Sequence, residues 1–115
     1  MADKTMIIRI KEMAEERGID EKEAYEFLNL FLDYTQNEDL PALCDALEAK
    51  DCLLARKRAH SIKGAALNLK LEEIACVAES LEHKCKAADL QGTGELLKAL
   101  AECLTNLDDV LRRRS

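Results

Sequence analysis

The stretch LEEIACVAESLEHKCKAA, residues 71–88, decides the fold. Its apolar residues Leu71, Ile74, Ala78, Leu81, Cys85 and Ala88 step by three and four, which puts them on one face of a helix. That rhythm is characteristic of helices packed in antiparallel bundles. It returns in Leu97, Leu100, Leu104, Leu107 and Leu111, after Asp89, Gly92, Thr93 and Gly94, which read as a turn or a weak first turn of a closing helix. Arg112, Arg113 and Arg114 at its end suit the negative pole of the helix dipole.

Upstream, Lys50 and Asp51 form a tight connection in which Asp51 caps a helix running from Cys52 to about Leu69. Before it, Leu40 to about Ala49 reads as helix, with Pro41 tolerated in the first turn because its missing amide proton would be unpaired there. The polar run Gln36 to Asp39 contains no glycine, so this segment is either separate or a bent continuation of the helix before it. That earlier helix opens with Asp20 and Glu23 spaced as a capping box, carries Ala24, Phe27, Leu28 and Phe31 on one face, and runs to about Thr35. A short first helix follows from Met6, Ile7, Ile10, Met13 and Ala14, ending at Gly18. With four aromatic residues and a dominance of Leu, Ala, Glu and Lys, helix is favoured nearly everywhere. The expected fold is all-α: one domain over 1–115, an antiparallel four-helix bundle over about 20–112 with an additional short N-terminal helix within 1–18.

Composition narrows the function. The 115 residues carry 17 Lys and Arg against 23 Asp and Glu, a net charge of −6 that argues against nucleic acid as the main partner. No run of about 18 apolar residues occurs, and the start MADKTMIIRIKEM lacks the pattern of a signal peptide, so a cytoplasmic chain with no membrane partner is expected. Cys44, Cys52, Cys76, Cys85 and Cys103 form no pair with metal-ligand spacing; most are expected to be buried, reduced thiols. Only His60 and His83 are present, on separate helices, so no metal site is expected. There is no glycine-rich phosphate loop and no magnesium-binding carboxylate cluster, hence no expected binding of ATP and no cofactor held by this chain. A monomer is expected.

In the fourth helix, Ala55, Ala59, Ile62, Ala66 and Leu69 share an inward stripe, and His60 is turned roughly 140° from its centre. The imidazole should therefore project into solvent. Leu53, Arg56, Lys57, Lys63, Gly64, Leu67 and, at the helix end, Lys70 or Leu71 lie on the same outer stripe. Gly64 inside a helix costs about 1 kcal/mol relative to alanine, and it would open the imidazole to an electrophile or to another protein's backbone. Lys63 could place an ammonium beside a phosphoryl group carried on the ring. The bland alternative is a solvated histidine, a charged face, and a glycine that lets two helices pack closely.

The run Ala59-His60-Ser61-Ile62-Lys63-Gly64-Ala65-Ala66-Leu67-Asn68-Leu69 resembles the H-x-x-K-G motif of histidine-containing phosphotransfer (HPt) domains, four-helix bundles that relay phosphoryl groups. The resemblance extends through Ser80-Leu81-Glu82 and the Ala88-Asp89 turn, covering about residues 20–112. It implies that His60 is the phosphoacceptor, that Lys63 stabilises the phosphoryl group, and that Gly64 gives a partner access. It also implies exchange with the aspartate of response-regulator receiver domains, which would supply the magnesium, or with a histidine kinase. The chain departs from the family at Lys70, where glycine is common. If the fourth and fifth helices fold back near Lys70, the residues opposite His60 are Glu79, Glu82 and His83, with Glu82 the first choice for orienting the ring and His83 expected on the surface. Leu53, Arg56, Lys57, Leu67, Lys70 and Leu71 form the expected partner surface. Two alternatives stand beside the relay: the phosphoacceptor domain of a larger histidine kinase, and an adaptor that kept the bundle without the chemistry.

Overall fold

The computed structural model describes residues 2–114; Met1, Ser115 and the side chains of Ala2, Asp3 and Arg114 lie outside the described residues. All its regular elements are helical: α1 (Ala2–Arg17), α2 (Glu21–Tyr34), a π-helical segment (Thr35–Asp39), α3 (Leu40–Glu48), α4 (Cys52–Asn68), α5 (Glu72–Lys86) and α6 (Thr93–Arg114). α1 begins ahead of the expected Met6. The capping box is present, with the Glu23 amide donating to Asp20 Oδ1 at 2.8 Å and the Asp20 amide to Glu23 Oε1 at 3.4 Å.

The polar run is not a break. From Tyr34 through Leu40 the backbone stays in the right-handed helical region, and the Leu40 amide donates to Thr35 O across five residues. The wider turn stands just before Pro41, which has no amide to donate and whose ring crowds the carbonyl four residues back. α2 and α3 are thus one continuous rod. Its inner face continues through the polar run: Thr35 and Asp39 are buried in line with Leu28, Phe31, Leu43 and Ala46.

Packing closes in a ring. α3 lies against α4, α4 against α5, α5 against α6, and α6 against α2, while α1 is added against α2 and α6. Leu28, Leu43, Ile62, Leu81, Leu100, Leu104 and Leu107 fill the centre. Four helices end the same way. At Gly18, Lys50, Lys70 and Ala88 the backbone turns left-handed, and the following amide reaches back to close the end, as Leu71 N does to Ala66 O at 2.8 Å. Lys70 therefore takes the conformation that glycine adopts most easily, with φ +62°.

Some expected positions shift. Ala88, the last step of the fifth-helix rhythm, lies beyond α5, exposed in the left-handed turn. Phe27 and Ile7 are largely exposed rather than core. Among the cysteines only Cys85 is buried; Cys44, Cys52 and Cys103 are half-buried, and Cys76 is exposed because it falls off the Ile74–Ala78–Leu81 stripe. The most consequential correction concerns Leu71. It is only 2% exposed, because the turn at Lys70 folds it under the bundle, so it belongs to the core and not to a partner surface. Lys70 is half-buried and directed toward α1, where its ammonium lies 2.7 Å from Glu16 Oε2.

Candidate functional site

Asp51 starts α4 by accepting from the Leu54 amide at 3.1 Å, and the helix ends where the Arg17 guanidinium from α1 donates to Asn68 O at 2.6 Å. Between these ends Ala55, Ala59, Ile62 and Ala66 are buried, which fixes the rotation of α4. That rotation sends His60 outward. Its side chain is 66% exposed, and Leu53, Arg56, Lys57 and Leu67 are exposed as well.

The short Lys70–Leu71 turn brings α5 back beside α4 and sets Glu82 opposite His60. Glu82 Oε2 lies 2.7 Å from His60 Nδ1, so the ring donates its Nδ1 proton to a carboxylate that can only accept. The other oxygen, Oε1, is buried away from solvent and makes no aligned hydrogen bond, but the Lys63 ammonium stands 2.7 Å from it as an ion pair. One carboxylate thus holds both residues. Lys63, expected to extend outward, instead reaches across to Glu82 on α5, with its side chain only 20% exposed. Glu79 acts on Lys63 only through its charge, and His83 is exposed.

The electrostatics agree with this geometry. The Lys63 ammonium is the largest cause holding the Glu82 carboxyl below its ordinary range; partial burial works against it, and His60 adds to it. Glu82 in turn raises Lys63 above the usual lysine value, against a smaller desolvation effect. Glu82 is therefore an anion at neutral pH and Lys63 a cation. Among the described residues, His60 Nε2 has no partner within the chain, which leaves its lone pair available to an electrophile from outside.

Gly64 sits one turn after His60. A methyl group built there would meet no atom within 4 Å beyond the adjoining residues and backbone of α4 itself. Close packing of helices therefore does not require this glycine, and the bare backbone opens to solvent.

A second network escaped the sequence reading. Asp39, in the π segment, has a side chain only 4% exposed, accepts from Arg58 Nη1 at 3.1 Å and from Ser61 Oγ at 3.3 Å, and so ties α4 to the α2–α3 rod. The signal available in sequence was Thr35 and Asp39 continuing the spacing of Phe31 and Leu43. Among the described residues no cluster of His, Cys, Asp and Glu is arranged to hold a metal ion.

The family model of the Hpt domain matches residues 26–110. The chain belongs to the Hpt domain family. Membership carries the role of histidine phosphotransfer in phosphorelays and interaction with response regulators or kinases of two-component signalling. Among solved structures, the histidine-containing phosphotransfer protein B (HptB) of Pseudomonas aeruginosa PAO1 is similar in fold, with a TM-score of 0.79 and 24% identity over 89% of this chain and 88% of that one. The search of curated proteins returns no match. The Hpt match includes α4 and α5 with His60, Lys63, Gly64 and Glu82, and leaves α1 outside it. Among the described residues, no helix is long and apolar enough to cross a membrane.

Proposed function

We propose that this Hpt domain accepts a phosphoryl group on His60 Nε2 from the aspartyl phosphate of a receiver domain and returns it to the aspartate of another. The observation that carries this reading is an exposed imidazole whose Nδ1 is held by Glu82 at 2.7 Å while Nε2 is unengaged. A held Nδ1 proton fixes the tautomer with its lone pair on Nε2, the nucleophilic form. As the N–P bond forms, positive charge develops on the ring and Glu82 stabilises it. Lys63 moves from Glu82 Oε1 toward the phosphoryl oxygens, for which an ammonium is a suitable partner. Gly64 gives the receiver's backbone room to approach, and Leu53, Arg56, Lys57 and Leu67 surround the entry as contact residues. The chain is not a catalyst in its own right in this reading and binds no cofactor; magnesium comes with the receiver. Residues 20–112 act as one phosphotransfer unit, monomeric and cytoplasmic, with α1 appended.

The test is incubation with phosphorylated receiver domains, followed by intact-mass measurement, with His60→Gln alongside. One added phosphoryl group that is acid-labile, base-stable and absent in the variant is the expected result. Receiver binding without transfer would overturn the relay and favour an adaptor. Transfer only from an ATP-binding kinase domain would make the chain the phosphoacceptor of a histidine kinase.

A further inference from the structure

α1 lies outside the Hpt match, yet it helps to wall a cavity. That cavity, about 350 Å³, opens between the first half of α1, the start of α5 and the middle of α6. Its size falls at the small end of the roughly 300–1,000 Å³ usual for ligand sites. Leu71 and Ile74, each 2% exposed, bring the apolar core to it, and half-buried Met6 and Cys103 join them. The Cys103 thiol is pushed up by burial first and then by the charges of Glu73 and Glu102, so it stays neutral at pH 7 and serves as apolar wall, not as a nucleophile.

The charged groups at the cavity are poorly matched. The Arg9 side chain is only 25% exposed, and its charge partner among the described residues is Glu73 Oε1 at 3.8 Å, beyond hydrogen-bond reach. The Glu73 side chain is itself 68% exposed. A pair that long and that wet holds Arg9 weakly. The guanidinium therefore brings five N–H donors in a planar fork to the cavity, largely withdrawn from water and with no aligned acceptor among the described residues. A carboxylate satisfies such a fork best, because it accepts two parallel N–H bonds. Thr5 and Asn106, which also line the cavity, offer further donors.

We propose that this cavity binds a small monocarboxylate with an apolar alkyl or aryl body, the carboxylate on Arg9 and the body against Met6, Leu71, Ile74 and Cys103. The acid displaces Glu73 from Arg9 at little cost, because the Glu73 carboxylate returns to water. A neutral molecule of the same shape leaves the guanidinium without its acceptor, and an amine meets its charge. Since the acid touches α1, α5 and α6 together, it ties α1 to the bundle and stabilises the folded chain by mass action. The site shares no residue with the His60 site and does not depend on the phosphotransfer reading.

The experiment titrates the full chain with octanoate and with phenylacetate, and with octanol as the uncharged counterpart, following the Met6 and Ile74 methyl signals by NMR together with the melting temperature. Saturable shifts of both signals and a melting temperature that rises with acid are expected, and the tighter acid identifies the body as alkyl or aryl. Arg9→Gln should weaken acid binding about tenfold, the loss of a charge-assisted pair, and leave octanol unaffected. Glu73→Gln, which removes the competitor for Arg9, should tighten acid binding by about threefold, in keeping with a weak exposed pair. Cys103→Phe, which fills the cavity, should abolish the methyl shifts with all three compounds. Acid and alcohol bound equally well, with Arg9→Gln and Glu73→Gln both without effect, would overturn the assignment of a carboxylate ligand. Shifts that spread over the surface and do not saturate would overturn the site itself.

Discussion

His60 is a residue the fold does not need. Most of its side chain is in solvent, so His60→Gln should abolish the acid-labile phosphoryl group while stability stays within about 0.5 kcal/mol, read as an unchanged thermal melt. Gly64→Ala should stabilise α4 by about 1 kcal/mol, since the methyl meets no neighbour, whereas Gly64→Trp should slow receiver transfer without loss of fold. Glu82 gives a pH prediction. Its folded carboxyl ionises at lower pH than in the unfolded chain, so its pairs contribute fully above the ordinary carboxylate range and are lost as pH falls through the folded value. Melting followed from pH 7 downward should therefore fall more steeply for the native chain than for Glu82→Gln. The outward turn of His60 was legible because helix period alone fixes angles, and a fold-back assumed near Lys70 narrowed the residues opposite it to Glu79, Glu82 and His83, with Glu82 the first choice. The inward reach of Lys63 was not legible, because a four-carbon stem spans several positions and its partner decides which.

At the scale of elements, helix ends carry the information that periodicity lacks. Leu71 has the spacing of a surface residue at the end of α4 and the spacing of a core residue at the start of α5, and only the left-handed turn at Lys70 decides for the core. Lys50, Lys70 and Ala88 hold that conformation at a cost that glycine avoids. Ala88→Gly should raise stability by roughly 0.5–1 kcal/mol after the greater freedom of the unfolded glycine is counted, measurable as a higher melting temperature. Lys70→Gly should gain less, because it also removes the pair with Glu16. The choice between a break and a bend at the π segment stayed open in the sequence because Thr35 and Asp39 are core positions filled by polar residues. The burial of Asp39 is tolerated because Arg58 and Ser61 donate to its carboxylate. Asp39→Ala should cost about 1–3 kcal/mol in denaturant unfolding, since it leaves both donors without their acceptor.

Across the whole molecule, the working parts and the stabilising parts are separable. The residues proposed for phosphotransfer sit on α4 and α5, while α1, outside the Hpt match, contributes Ile10, Met13 and Ala14 to the core and is tied down through Arg17 to Asn68 O and Glu16 to Lys70. Removing residues 1–18 should lower the melting temperature and leave phosphorylation of His60 intact, as intact-mass analysis of the folded fraction would show. That the last helix closes the domain was legible from its leucine spacing, whereas its contact with α2 and the seat of α1 were not, the latter because the apolar residues of α1 spread around the helix and leave Ile7 and Ile8 outside. The empty surroundings of Gly64 bear on how such a domain evolves. A library screened only for heat resistance should accumulate alanine at position 64, while one screened for signal passage should purge the larger replacements. The two enrichment profiles should diverge at this site more than at any buried leucine, where folding and signalling demand the same residue.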